Sequence, residues 1–149
     1  QLAAALGAQT TAVATAKHHQ QLQALGANHL IDYKTTDITQ ANQQYDLILD
    51  MTATYRYKKL RHLLTHNGIF IPANPFNSLF DILFRRKSVR WLLVDRGDSA
   101  LIAELAELAS NGRLKAVIDS HFELAEYEAA FERGLSRGKM GRVLIKLGN

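Results

Sequence analysis

Short β-branched or apolar runs alternate with helical patterns along the whole chain, and that alternation leaves few folds open. Thr11–Thr15 (TAVAT), His29–Tyr33 (HLIDY), Tyr45–Met51 (YDLILDM), Ile69–Pro72 and Arg142–Leu147 read as strands. Leu2–Leu6, Lys17–Leu25, Tyr55–His66 and Glu123–Leu135 read as helices, with Gly7, Gly26 and Asn67-Gly68 placed where the first three should stop. Asp98 reads as the N-cap of a helix carrying Leu101, Leu105 and Leu108, closed by Asn111-Gly112. Phe76–Phe84 reads as an apolar helix, Ser88–Val94 as a strand alternating Val89, Trp91 and Leu93, and Val117-Ile118 as a short strand. Several strands are apolar on both faces, as in a parallel sheet covered by helices on each side. The expected fold class is α/β, a doubly wound parallel sheet.

Composition bounds what such a sheet can do. A chain of 149 residues that is 47% hydrophobic can bury one core. No apolar run approaches the roughly 18–20 residues of a membrane span, and the start lacks the basic region of a signal peptide. There are no cysteines, so disulfides and thiolate metal sites are excluded, which fits a cytoplasmic setting. The net charge of +4 comes largely from Arg56/Lys58/Lys59/Arg61 and Arg85/Arg86/Lys87/Arg90. The first cluster alternates with Tyr55, Tyr57, Leu60 and Leu63 at helical spacing. That is the pattern of a solvated helix face, and neither nucleic acid nor membrane is expected as a partner.

Ligands of a nucleotide-binding α/β sheet sit at the carboxyl ends of its strands. An acid at the end of the second strand of such a sheet would hold the ribose hydroxyls of NAD. The corresponding strand end here reads Thr15-Ala16-Lys17, a hydroxyl and a cation, which suit a 2′-phosphate. The plainer reading is a helix N-cap followed by an exposed lysine. Tyr33, closing the next strand, is placed to flank an adenine ribose. Ser136-Arg137-Gly138-Lys139 is not a phosphate loop: it runs from helix to strand, and Met140 stands where Ser or Thr is needed. His62 and His66 lie four apart but without a third ligand nearby, so they read as exposed histidines, and no metal is expected.

The run Leu2–Ala8 (LAAALGA), TAVATAK, Ala24–Tyr33 (ALGANHLIDY), YDLILD, the Asn67-Gly68 step into IFIPAN, and the tail Leu108–Lys115, Val117–Asp119, Phe131 and Arg137–Lys139 follow one another in a familiar order. Together they resemble the medium-chain dehydrogenase/reductase superfamily, and within it the zinc-independent quinone oxidoreductase branch. The resemblance implies a Rossmann-like domain binding NADPH, with Thr15, Lys17 and Tyr33 around the 2′-phosphate. It places Thr52 and Ala53, and Ala73 and Asn74, towards the nicotinamide. It also implies that residues 1–112 form the cofactor domain and 113–149 return to a catalytic domain outside the sequence. The glycine-rich turn and the first strand would precede Leu2, so the sheet is expected to be incomplete at its N-terminus. Gln1 opens within a helical pattern, as in part of a longer chain.

The expected function is cofactor binding for hydride transfer from NADPH to a quinone or an activated alkene or carbonyl, with a small-molecule substrate. Alternatives are a non-catalytic nucleotide-binding or interaction module, or another Rossmann-like group such as methyltransferases, which fit the alternation but not the tail. A homodimer is expected through the apolar edge Ser88–Val94. The missing first strand leaves three outcomes: TAVAT and YDLILDM pair directly, a neighbour fills the slot, or the strand lies outside this sequence. The last is favoured.

Overall fold

The computed structural model describes residues 1–52, 54–73, 87–90 and 98–148. They divide into two compact units, Gln1–Asp32 with Asp98–Asn149, and Tyr33–Gly97.

In the first unit, helix α1 (Leu2–Ala5) is followed by Gly7 at φ 78°, a left-handed turn that glycine adopts without Cβ strain. Strand β1 (Thr11–Val13) leads through a 3-10 turn (Ala16–His18) into α2 (His19–Ala24), and then into β2 (His29–Ile31). β1 and β2 pair in parallel with Thr11 opposite His29 and Val13 opposite Ile31. Asn28 fixes that register: its Oδ1 accepts from the Thr10 amide at 2.8 Å and from the Thr10 hydroxyl at 3.1 Å. Helix α4 (Ser99–Ser110) begins at Asp98, whose Oδ1 accepts from the Ala100 amide at 2.9 Å. It ends before Gly112 at φ 75°. Strand β5 (Ile118–Glu123), helix α5 (Tyr127–Leu135) and strand β6 (Arg142–Lys146) form a second parallel crossover. The Glu126 carboxylate accepts from the Glu123 amide at 2.9 Å where the chain leaves β5 for that helix.

The second unit holds β3 (Tyr45–Asp50), the short helix α3 (Tyr57–Leu60) running into a 3-10 turn (Arg61–Leu63), and β4 (Leu64–Pro72), parallel to β3. Its core gathers Leu60, Leu63, Leu64, Phe70 and Val89, with Phe70 completely buried. The Tyr57 ring packs 6.1 Å from that of Phe70.

Here the fold departs from the helical reading of Tyr55–His66. The helix turns give out at Leu63, and Leu64, itself buried, already pairs with Tyr45. Asn67-Gly68 therefore lies inside β4. Five steps of β4, from Leu64 to Ile69, oppose only two of β3, from Tyr45 to Leu47. Gly68 sits in that excess, where a Cβ would come within 2.9 Å of the Tyr45 carbonyl oxygen and 3.0 Å of the Leu64 Cβ. A glycine in a strand marks a bulge or a close backbone approach as readily as a helix stop.

All the described strand pairs are parallel, as the alternation implied. The pairing runs within each unit: β1 with β2 and β5 with β6 in the first, β3 with β4 in the second. Within Ser88–Val94, Val89 is buried and bridges Phe70 in parallel, extending the second unit's sheet past β4. Residues 91–94, on which the expected homodimer contact depends, lie outside the described residues, as does the expected helix Phe76–Phe84.

Candidate cofactor-binding site

At the carboxyl end of β1, the Ala14 amide still donates to Ile31 O at 2.9 Å before the chain turns away. Thr15 then occupies the N-cap position of the 3-10 turn, at φ −68° and ψ 146°, but its hydroxyl does not cap it. Thr15 Oγ1 is buried without a hydrogen-bond partner among the described residues. Thr15 thus takes the N-cap position of the plainer reading without its side-chain bond, and an orphaned hydroxyl of this kind costs about 1–3 kcal/mol until it finds a partner. Lys17 is exposed, and its Nζ donates to Gly138 O at 3.2 Å. The sequence showed no acid in this strand end, but the fold brings one: Asp32 Oδ2 accepts from the Ala16 amide at 3.2 Å.

Gly138 belongs to the loop between α5 and β6, and Asp119 holds that loop in place. Its Oδ1 and Oδ2 take Nη2 and Nε of Arg133, both at 2.7 Å, and Oδ1 also accepts from the Met140 amide at 2.9 Å. The Arg133 guanidinium, and then the Met140 amide, hold the Asp119 carboxyl far below the usual carboxylate range. Gly138 lies at φ 76°, and a Cβ there would fall 2.5 Å from Lys17 Nζ. Glycine leaves that space to the ammonium, the flexible end of the Lys17 side chain, which a Cβ would push aside.

A carboxyl with a depressed folded-state pKa stabilises the protein above its unfolded value, near about 4. That contribution is lost as pH falls towards the folded value. Asp119→Asn should lower thermal stability at neutral pH and narrow its gap from the wild type below about pH 4. Melting curves across that range check it, and a gap independent of pH would contradict the assignment.

In the second unit, the carboxyl ends of β3 and β4 meet at Asp50, which is buried. Asp50 Oδ1 accepts from the Thr52 amide at 3.1 Å and the Thr52 hydroxyl at 2.8 Å, while Oδ2 accepts from the Tyr55 amide at 3.0 Å. The Ala73 amide donates to Asp50 O at 2.8 Å. Thr52 and Ala73 are thus brought to one end of the β3–β4 pair, as ligand-facing residues of a parallel sheet must be. Ala53 and Asn74 lie outside the described residues. Tyr33 lines a cavity of about 420 Å³ with Tyr55, Asp37 and Lys59. The expected site residues fall in both units: Thr15 and Lys17 in the first, Tyr33, Thr52 and Ala73 in the second.

Asp32, Asp50 and Asp119 were not singled out from sequence. Asp50-Met51-Thr52 carried a local signal, since an aspartate two residues before a threonine at a strand end forms a side-chain turn. Asp119 carried none, because its partners come from two later elements. His62 lies in the 3-10 turn and His66 in β4, so the helical spacing that made them a pair is not formed. Among the described residues no three His, Asp or Glu side chains are grouped to hold a metal ion.

The family model described as zinc-binding dehydrogenase matches residues 25–145. The chain is 28% identical over 174 residues to the medium chain reductase pydE of Acremonium sp, covering 99% of this chain and 47% of that protein. It is 26% identical over 157 residues to the chloroplastic quinone-oxidoreductase QR1 of Triphysaria versicolor, covering 98% and 47%. The chain thus spans about half the length of the curated relatives it matches. The solved quinone oxidoreductase of Coxiella burnetii superimposes with a TM-score of 0.76 at 22% identity, over 99% of this chain and 47% of that one. A putative alcohol dehydrogenase of Sinorhizobium meliloti 1021 gives 0.77 at 21%, over 99% and 46%. These likenesses establish the Rossmann-like α/β fold, and with the match of the family model over most of the sequence the chain belongs to the zinc-binding dehydrogenase family of the medium-chain dehydrogenase/reductase superfamily.

Proposed function

We propose that this chain is the cofactor-binding portion of an NADPH-dependent oxidoreductase that delivers hydride to a quinone or an activated alkene or carbonyl. The observation that carries the reading is the pair at the end of β1, an orphaned Thr15 hydroxyl and a Lys17 ammonium whose only hydrogen bond among the described residues is to a carbonyl. A phosphate dianion offers that ammonium a charge-assisted bond, roughly twice as strong as one to a neutral acceptor. Asp32 comes to the same strand end, where its Oδ2 accepts from the Ala16 amide.

Bound NADPH supplies the hydride. The chain's own residues bind and orient: Thr15, Lys17 and Tyr33 take the 2′-phosphate end, while Thr52 and Ala73, tied to Asp50, line the approach to the nicotinamide. With the cofactor carrying the reaction, positioning and exclusion of water are the work left to the protein. The chemistry proposed is that of the zinc-independent branch, in which the cofactor carries the reaction.

NADPH oxidation by the full-length protein, with a benzoquinone and an α,β-unsaturated ketone as acceptors, tests the reading. Acceptor-dependent turnover supports it. Tight NADPH binding without turnover on either acceptor favours a non-catalytic module on the same fold.

A further inference from the structure

The sequence holds two Asn-Gly pairs, Asn67-Gly68 and Asn111-Gly112, and the fold treats them differently. Glycine leaves its own amide nitrogen open to the carboxamide of a preceding asparagine, because no Cβ shields it and its backbone turns freely. In β4, Asn67 is exposed but Gly68 is buried, and a Cβ on it would stand 2.9 Å from the Tyr45 carbonyl oxygen. Any reaction of that pair must wait for β4 to open.

Asn111-Gly112 stands at the end of α4, and both residues are exposed. Gly112 lies at φ 75° with nothing within 4 Å of where a Cβ would be, so its peptide has room to turn. Its amide donates to Ala109 O at 3.1 Å, a bond in the last turn of a helix, where ends fray. Asn111 Oδ1 accepts from the Arg113 amide at 3.2 Å, so the carboxamide arches over the Gly112 peptide. That amide polarises the carbonyl and is placed to stabilise the negative charge its oxygen gains when the carbon is attacked.

We propose that Asn111 is a site of spontaneous deamidation, which leaves isoaspartate in the turn between α4 and β5. The Gly112 nitrogen gives up its proton to water and bonds to Asn111 Cγ. The Cγ–Nδ2 bond breaks, ammonia leaves, and a succinimide ring remains. Water then opens the ring at the side-chain carbonyl to give aspartate, or at the main-chain carbonyl to give isoaspartate. Nothing is oxidised or reduced, and water is the sole co-reactant. The isoaspartyl product adds a main-chain carbon to the turn and a carboxylate at the negative end of the α4 dipole. Both disturb the bonds just beyond it, from the Leu114 amide to Leu108 O at 2.9 Å and from the Lys115 amide to Gln1 Oε1 at 2.8 Å.

The full-length protein, kept folded at mildly alkaline pH and in parallel unfolded in guanidinium chloride, tests the proposal. Samples taken over days are digested, and mass spectrometry follows amide, aspartate and isoaspartate in the peptide that carries each asparagine. Unfolded, the two pairs should react at similar rates. Folded, Asn111 should stay within about threefold of its unfolded rate while Asn67 falls at least about tenfold, since a fraying helix end opens far more readily than a paired strand. Protection of Asn111 as strong as that of Asn67 overturns the proposal, as does faster reaction of Asn67 in the folded protein.

Discussion

Phe70→Ala should destabilise the protein by about 3–5 kcal/mol, the cost of emptying a buried aromatic position. Phe70 is 0% exposed, sits opposite Ile48 in the β3–β4 pair, and packs its ring on Tyr57. Its backbone also ties in the neighbouring segment: its amide donates to Ser88 O at 2.7 Å and its carbonyl accepts from the Arg90 amide at 3.0 Å. The alanine keeps those bonds but leaves a cavity beside the Tyr57 ring. Denaturant titration of the full-length protein measures the loss. A change under about 1 kcal/mol would mean that this core is not packed as described.

Gly141→Ala should be nearly as damaging, for a different reason. Gly141 lies at φ 110°, and a Cβ there would overlap the Val117 carbonyl oxygen and approach its carbon to 2.6 Å. The backbone strain costs about 1–2 kcal/mol and the overpacking a further 1–3. The overlap falls where the Arg142 amide donates to Val117 O at 2.9 Å, the bond that starts the β5–β6 pairing. Gly112→Ala is the control: its φ is 75°, but nothing lies within 4 Å of the added methyl. It should show the strain alone. Equal losses in the two variants would refute the steric part of the argument.

Most strands and the capped helices were legible because their signals are local. Asp98 capped the expected helix, Gly7, Gly26 and Gly112 took the positive φ values that helix ends need, and β1, β2, β3 and β6 lie where the apolar runs place them. The segment Leu63-Leu64-Thr65-His66-Asn67-Gly68 was misread because Leu63 and Leu64 satisfy a helical stripe and a strand start equally well. What decided between them was the pairing of Leu64 with Tyr45, a contact 19 residues away in the chain. The site shows the same split. Thr15, Lys17 and Thr52 stand out as strand-end residues, whereas Asp119 acts through Arg133 and Met140 on a loop whose glycine meets Lys17. No local pattern announces such a chain of contacts.

The central claim is that the β1 end selects a phosphorylated ribose. Equilibrium titration of NADPH and NADH into the full-length protein, and into its Lys17→Ala variant, tests it most directly. Lys17 is exposed, so the lower part of the range for a charge-assisted hydrogen bond applies, about 1–2 kcal/mol, or about five- to thirtyfold in affinity. The wild type should prefer NADPH, and the variant should lose that preference while its NADH affinity stays put. Equal affinities for the two cofactors in the wild type, or a variant that still prefers NADPH as strongly, would contradict the account.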